Sequence, residues 1–209
     1  MDEVLKQIGT HRLVPVVALE DASQANALGD ALVAGGLPVA EITFRTAAAR
    51  DAIATLSKRD DLLVGAGTVL TEQHAKQALD AGARFVVSPG FSEAVVDYCI
   101  DQGVAVTPGC ATPSDLHQAA ARDLSVVKFF PAEAMGGLKM LKALSAPFNA
   151  MRFVPTGGIK AENVQSYLAE PAVFACGGSW MVKGDLLRQG QFDEVTRLTK
   201  EAVALADSA

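Results

Sequence analysis

The chain has 209 residues, half of them hydrophobic and 20% charged, with a formal net charge of −6. This composition excludes a disordered chain and suits one domain with a sizeable core. The negative balance argues against nucleic acid or an anionic membrane surface as partner, although an acidic protein can still hold an anionic metabolite at a local site.

The N-terminal stretch MDEVLKQIGTHR carries early acids and no apolar h-region, so no signal peptide is expected. No apolar stretch approaches the roughly 20 residues of a membrane span. The three cysteines, Cys99, Cys110 and Cys176, lack close spacing, which suits a reducing compartment. Together these features predict a cytoplasmic protein.

Eight apolar, strand-like runs follow one another, at 13–19, 38–44, 62–65, 84–88, 104–107, 125–130, 152–155 and 172–176. A short N-terminal helix precedes them, and the whole chain, 1–209, reads as one domain. Ala-rich helical stretches separate the runs. Ala22, Ala25, Leu28 and Leu32 share one face, with Asp21 and Gln24 resembling a capping box and Gly35-Gly36 ending the helix. Thr71 is placed to cap the helix that stops before Gly82, and Val195, Leu198, Ala202 and Leu205 line a closing helix. Eight strands alternating with helices, at spacings in the low twenties, predict an α/β fold, a single (β/α)8 TIM barrel. The rival, an open doubly wound sheet, is disfavoured because no GxGxxG follows the first strand.

Small-residue turns follow the strands: GAGT at 65–68, SPG at 88–90, TPG at 107–109, TGG at 156–158 and GGS at 177–179. Glycine is common in any strand-to-helix turn. The loops after the seventh and eighth barrel strands commonly form a phosphate site, and TGG and GGS fall there. Glycine lets backbone N–H groups approach an anion closely.

Two strands carry polar residues where apolar ones belong. In the second, PVAEITFR, alternation puts Glu41, Thr43 and Arg45 on one face and Ala40, Ile42 and Phe44 on the other. The apolar face suits helix packing, so the polar one should point into the barrel or toward its mouth. A structural ion pair between Glu41 and Arg45, with Cα atoms roughly 13 Å apart, is one reading. A proton-transfer carboxylate with a guanidinium for a substrate carboxylate is the other. In the sixth strand, SVVKFFP, Lys128 shares the inward face with Val126 and Phe130. Burial disfavours the ammonium and pushes the lysine pKa down, leaving an amine able to form a Schiff base with a carbonyl. Alternatively, Lys128 lies at the strand end and its head reaches water. If all three groups face inward, amine, carboxylate and guanidinium converge on one cavity. His11, His74 and His117 are scattered without ligand spacing, so no metal is expected.

The segments AEITFRT at 40–46, GAGTVL at 65–70, SPG at 88–90, VKFFPAE at 127–133, FVPTGGI at 153–159 and CGGSW at 176–180 resemble the KDPG/KHG aldolase family. The resemblance implies a (β/α)8 barrel and a class I Schiff-base aldolase that uses no metal or other cofactor and is usually a homotrimer. Its substrate would be a phosphorylated 2-keto acid, 2-keto-3-deoxy-6-phosphogluconate, with 4-hydroxy-2-oxoglutarate as a second. By motif, Lys128 would be the Schiff-base lysine and Glu41 the general acid/base. Arg45 and Thr68 would hold the pyruvyl carboxylate, with Thr156 beside the reacting centre. Gly157, Gly158, Gly178 and Ser179 would cradle the phosphate, and Pro89 and Phe130 would shape the wall. The loop PGCATPSD carries Cys110 where an aliphatic residue is more usual in the family. Three alternatives stay open: an aldolase for the galactonate epimer, another phosphate-binding barrel isomerase or epimerase, and a non-catalytic sugar-phosphate sensor.

Overall fold

A computed structural model of the chain describes residues 3–209. Eight strands alternate with helices: β1 Leu13–Val17, β2 Val39–Thr43, β3 Leu63–Gly67, β4 Phe85–Val87, β5 Ala105–Thr107, β6 Val126–Phe129, β7 Arg152–Pro155 and β8 Cys176–Gly178. The helices are α1 Glu3–His11, α2 Ala25–Ala34, α3 Ala49–Leu56, α4 Glu72–Asp80, α5 Glu93–Asp101, α6 Pro113–Ala120, α7 Gly137–Ser145, α8 Val164–Leu168, α9 Gly184–Arg188 and α10 Phe192–Asp207.

All pairings are parallel. Six strands run in the order β5-β4-β3-β2-β1-β8, and β6 pairs with β7. Single bridges close the remaining gaps: Gly109 to Lys128 between the fifth and sixth strands, and Phe153 to Val173 and Thr156 to Gly177 between the seventh and eighth. The expected (β/α)8 barrel is therefore the fold. Among the described residues, no helix is long and apolar enough to cross a membrane.

Alternation along each strand sorts side chains into two cores. Ala40, Ile42, Val64, Ala66, Val127 and Phe129 face out and pack under the helices. Val14, Val39, Leu63, Phe85, Val126 and Val154 face the lumen. Val4 and Ile8 of α1 join the inner cluster, with Leu5 packed against it, so this amphipathic helix plugs the N-terminal end of the barrel.

The last helices form as their periodicity predicts. Val195 and Ala202 of α10 are fully buried, and α10 packs on α2. The Thr71 hydroxyl accepts the His74 N–H and so caps α4. The expected capping box at Asp21 forms only in half. Asp21 accepts the Ser23 N–H and starts a 3-10 turn, while Gln24 makes no side-chain capping bond.

The eighth strand also differs from expectation. It pairs with β1 over Cys176–Gly178 rather than spanning 172–176. Residues 172–174 bond instead to Phe153 of β7. Glycine has low strand propensity, which hides Gly177 and Gly178 from a sequence reading. The close approach of the strands explains their presence, since a Cβ on Gly177 would lie 2.3 Å from the Thr156 hydroxyl oxygen.

Candidate active site

Glu41 and Lys128 meet inside the barrel. The register aligns Glu41 with Val16 of β1 and Gly65 of β3, at mid-height of the sheet. Lys128 sits in β6, its N–H donating to the Pro108 carbonyl and its own carbonyl accepting the Cys110 N–H. The lysine Nζ donates to Glu41 Oε1 at 3.5 Å. The two residues are 5% and 3% exposed, so this is a buried ion pair in a mostly apolar lumen. Phe130 covers the amine, its ring centroid 5.1 Å from Nζ.

The carboxylate has its room because of a missing side chain. A Cβ on Gly67 would fall 2.1 Å from Glu41 Oε1. Its neighbour Gly65 likewise makes way for the Phe85 ring, which would lie 2.4 Å from such a Cβ. Below the pair lies a cavity of about 20 Å³, lined by Glu41, Thr107, Lys128 and Thr156 among apolar residues from α1 and the lower strands. That volume holds about one water. A molecule larger than water therefore has only the C-terminal mouth as a route to Lys128.

The mouth is a second, larger cavity of about 740 Å³. Arg45, Glu133, Gly158, Lys160, Ser179, Trp180 and Lys183 are among its lining residues. Three cations against one carboxylate make it locally positive in a chain of net charge −6. The N–H groups of Gly158, Ile159, Ser179 and Trp180, all on this wall, have no acceptor among the described residues. Unpaired backbone donors beside cations suit an anion.

Arg45 corrects the sequence reading in one respect. It does not converge on the cavity of Lys128 and Glu41 and forms no ion pair with Glu41. The strand ends at Thr43, two residues earlier, and Arg45 stands beyond it at the mouth rather than beside the inner pair. Thr43 itself is buried, its hydroxyl donating to the Val17 carbonyl at 2.7 Å. Arg45 is exposed on the mouth and has no ion pair or hydrogen bond among the described residues.

The other candidates lie around these two cavities. Thr156 lines the inner one. Gly158 and Ser179 line the mouth. Gly157 and Gly158 have φ of +95° and +82°, the left-handed region where glycine is at no disadvantage. Gly178 lies at the end of β8 beneath the Trp180 ring, which a Cβ there would meet at 1.9 Å. Thr68 follows β3 with φ of +55°, rare for a β-branched residue and a mark of local strain. Thr68 and Pro89 line neither cavity. The Pro89 carbonyl packs on Gly109, the residue bridged to Lys128, where a Cβ would come within 2.2 Å.

Cys110 sits behind Lys128. Burial, and secondarily the Asp115 charge, push its thiol up to about 12, so it is no nucleophile at neutral pH. Lining residues that the sequence did not single out for the site are Thr107 in the lumen and Glu133, Lys160, Trp180 and Lys183 at the mouth. The inward position of Thr107 follows from alternation in β5, whereas the others stand in loops with no periodicity to read.

A family model described as KDPG and KHG aldolase matches residues 2–198. The chain is 48% identical to the 2-dehydro-3-deoxy-phosphogluconate aldolase of Treponema pallidum (strain Nichols), over 93% of each protein. It is 43% identical to the KHG/KDPG aldolase of Escherichia coli (strain K12), over 93% of this chain and 92% of that protein. The solved structure of KDPG aldolase from Legionella pneumophila, with pyruvate captured at low pH as a covalent carbinolamine intermediate, matches with a TM-score of 0.92 at 35% identity. That match covers 97% of this chain and 98% of the other. With a buried lysine-carboxylate pair in the lumen and a cationic, glycine-rich mouth above it, the chain belongs to the KDPG and KHG aldolase family.

Proposed function

We propose that the protein is a class I aldolase that cleaves 2-keto-3-deoxy-6-phosphogluconate to pyruvate and glyceraldehyde 3-phosphate, and 4-hydroxy-2-oxoglutarate to pyruvate and glyoxylate. The observation that carries this reading is the Lys128 amine 3.5 Å from the Glu41 carboxylate in a lumen closed below. A carboxylate at this distance accepts the proton that must leave the ammonium before it can attack.

The free amine adds to the C2 ketone, and Glu41 shuttles protons as the carbinolamine loses water. The resulting iminium is an electron sink. Glu41, directly or through a water, takes the C4 hydroxyl proton, the C3–C4 bond breaks, and its electron pair moves into the iminium. The aldehyde leaves and the nitrogen-bound fragment becomes an enamine. Protonation at C3 and addition of water release pyruvate and restore Lys128. Phe130 keeps bulk water from the amine, which preserves the strength of these electrostatic contacts. Arg45 and Thr68 hold the pyruvyl carboxylate, Thr156 lies beside the reacting carbons, and Pro89 shapes the wall. Gly157, Gly158, Gly178 and Ser179 receive the phosphate.

Residues 1–209 act in this reading as one barrel domain, and the working unit is a cytoplasmic homotrimer. The family supports the trimer, and light scattering at three times the chain's 21.8 kDa would test it. The chemistry is tested by incubating the protein with pyruvate, reducing with borohydride and mapping the adduct by mass. A reduced pyruvyl group on Lys128 is expected, and an unmodified Lys128 overturns the assignment.

A further inference from the structure

A carboxylate in a mouth built for an anion needs a reason, and Glu133 is that carboxylate. It follows β6 in the turn before α7 and touches the seventh loop at two points and α8 at a third. Its N–H donates to the Gly157 carbonyl at 3.1 Å, one residue after the Ala132 N–H donates to the Thr156 carbonyl at 2.8 Å. Its methylenes lie against Gly158, where a Cβ would come within 2.5 Å of Cγ. Its Oε1 accepts the hydrogen of the Tyr167 phenol from α8. Tyr167 is 1% exposed, and a buried phenol needs such a partner. On the far side, Asn163 donates to the Gly158 carbonyl at 3.0 Å. The two left-handed glycines are thus clamped between Asn163 and Glu133, with Gly158 and Ile159 presented to the mouth.

We propose that Glu133 is a positioning residue for the phosphate end of the site: anchored by Tyr167 and seated on Gly158, it holds the 157–159 loop with its N–H groups toward the anion. It acts through its hydrogen bond and its packing, and its charge plays no part. The proposal rests on the reading of the mouth as the phosphate subsite.

The test has two arms. Binding of inorganic phosphate is followed by the fluorescence of Trp180, the chain's single tryptophan, which lines the mouth. In parallel, KM and kcat are measured with 2-keto-3-deoxy-6-phosphogluconate, together with the pyruvate concentration that gives half-maximal borohydride trapping at Lys128. Glu133→Ala and Tyr167→Phe should each weaken phosphate binding and raise KM by about tenfold, with kcat and the pyruvate requirement within about threefold of the parent. Glu133→Gln keeps an oxygen for the phenol and should match the parent. Tyr167→Phe preserves the core packing, so the test survives a Glu133→Ala variant that fails to fold. Unchanged phosphate affinity in the variants, an equal rise in the pyruvate requirement, or a Gln variant as weak as the Ala one overturns the proposal. If the parent binds phosphate but cleaves no keto acid, the functional reading fails while the phosphate arm still decides on Glu133.

Discussion

Gly67→Ala adds a single methyl to the lumen beside Glu41. That methyl would stand 2.1 Å from Glu41 Oε1, 2.6 Å from Cγ and 2.7 Å from Cδ. Non-bonded heavy atoms rest at roughly 3.5 Å, so the carboxylate must retreat by more than about 1 Å. The backbone offers no objection, because φ at this glycine lies outside the left-handed region. Glu41 is 3% exposed, and its retreat changes the 3.5 Å contact with Lys128. A misplacement of about 1 Å in a reacting group can cost about 10²-fold in rate. Overpacking a core costs about 1–3 kcal/mol, partly offset by about 0.4–1 kcal/mol from the lower chain entropy of alanine when unfolded. A fall of a few degrees in the thermal midpoint is expected. Turnover is measured by pyruvate release coupled to NADH oxidation, and folding by circular dichroism. Gly65→Ala is the control: its methyl meets the Phe85 ring at 2.4 Å rather than the carboxylate. It should lose comparable stability with much less loss of turnover per folded molecule. A folded Gly67→Ala protein that keeps a third or more of the parent turnover would refute the claim that Glu41 must sit where Gly67 allows it.

Three further outcomes follow from the same geometry. Glu41→Gln should lower turnover by about 10²–10⁴-fold while pyruvate is still slowly trapped on Lys128, and a loss below about tenfold would remove Glu41 from the acid/base role. Thr68→Gly relieves a φ of +55° that costs a β-branched residue about 1–3 kcal/mol, so net of glycine's extra chain entropy the melting temperature should rise by a few degrees while the pyruvate requirement increases. A melt that is unchanged or lower would contradict the strain. Burial pushes the thiols of Cys99, Cys110 and Cys176 from 9.0 up to about 12, so the neutral form is favoured by folding. That contribution to stability is complete below the unfolded value and is lost as pH rises through the folded one, from about 9 to about 12. The native protein should resist iodoacetamide at pH 8 and react at all three thiols in denaturant, and rapid native labelling would show that the burial is wrong.

The sequence revealed the fold through strand alternation, and alternation also put Lys128 and Glu41 on inward faces, where the structure brings them together. Lys128 stands in an otherwise apolar inward row, Glu41 shares its row with Thr43, and their separation of 87 positions is bridged by the barrel alone. Arg45 reaches the mouth, one of the two directions the alternation allowed, but it does not share the cavity of Lys128 and Glu41, because the strand stops at Thr43. Gly177 and Gly178 read as loop because glycine has no strand signature, although the contact with Thr156 and Trp180 requires glycine at both positions. Glu133 and Lys183 were invisible as site residues. Glu133 stands in a turn and Lys183 just before α9, and what brings them to one mouth is the packing of successive strand ends, which no local pattern encodes. The role of α1 was equally hidden, since an amphipathic helix at a terminus says nothing of what its apolar face covers.

That helix bears on why the buried pair exists at all. Removing two charges from water costs several kcal/mol per ion, and replacing such a pair by packed apolar residues is often neutral or stabilising. The lumen around Glu41 and Lys128 is already built of Val14, Phe85, Val87, Val126 and Val154, so aliphatic residues at both positions would extend the same packing. Stability therefore does not account for the pair, whereas the proposed Schiff-base chemistry requires it. The low dielectric that makes the two charges costly also strengthens each proton transfer and each contact with a developing charge. It can do so only while water is kept out from below, which is what Val4, Leu5 and Ile8 of α1 accomplish against the lower strands. Above, the lumen meets a mouth whose loops carry the cations and unpaired N–H groups. In the proposed reaction an anionic keto acid entering there would be drawn by the rim and would complete the dry enclosure that the barrel leaves open at one end.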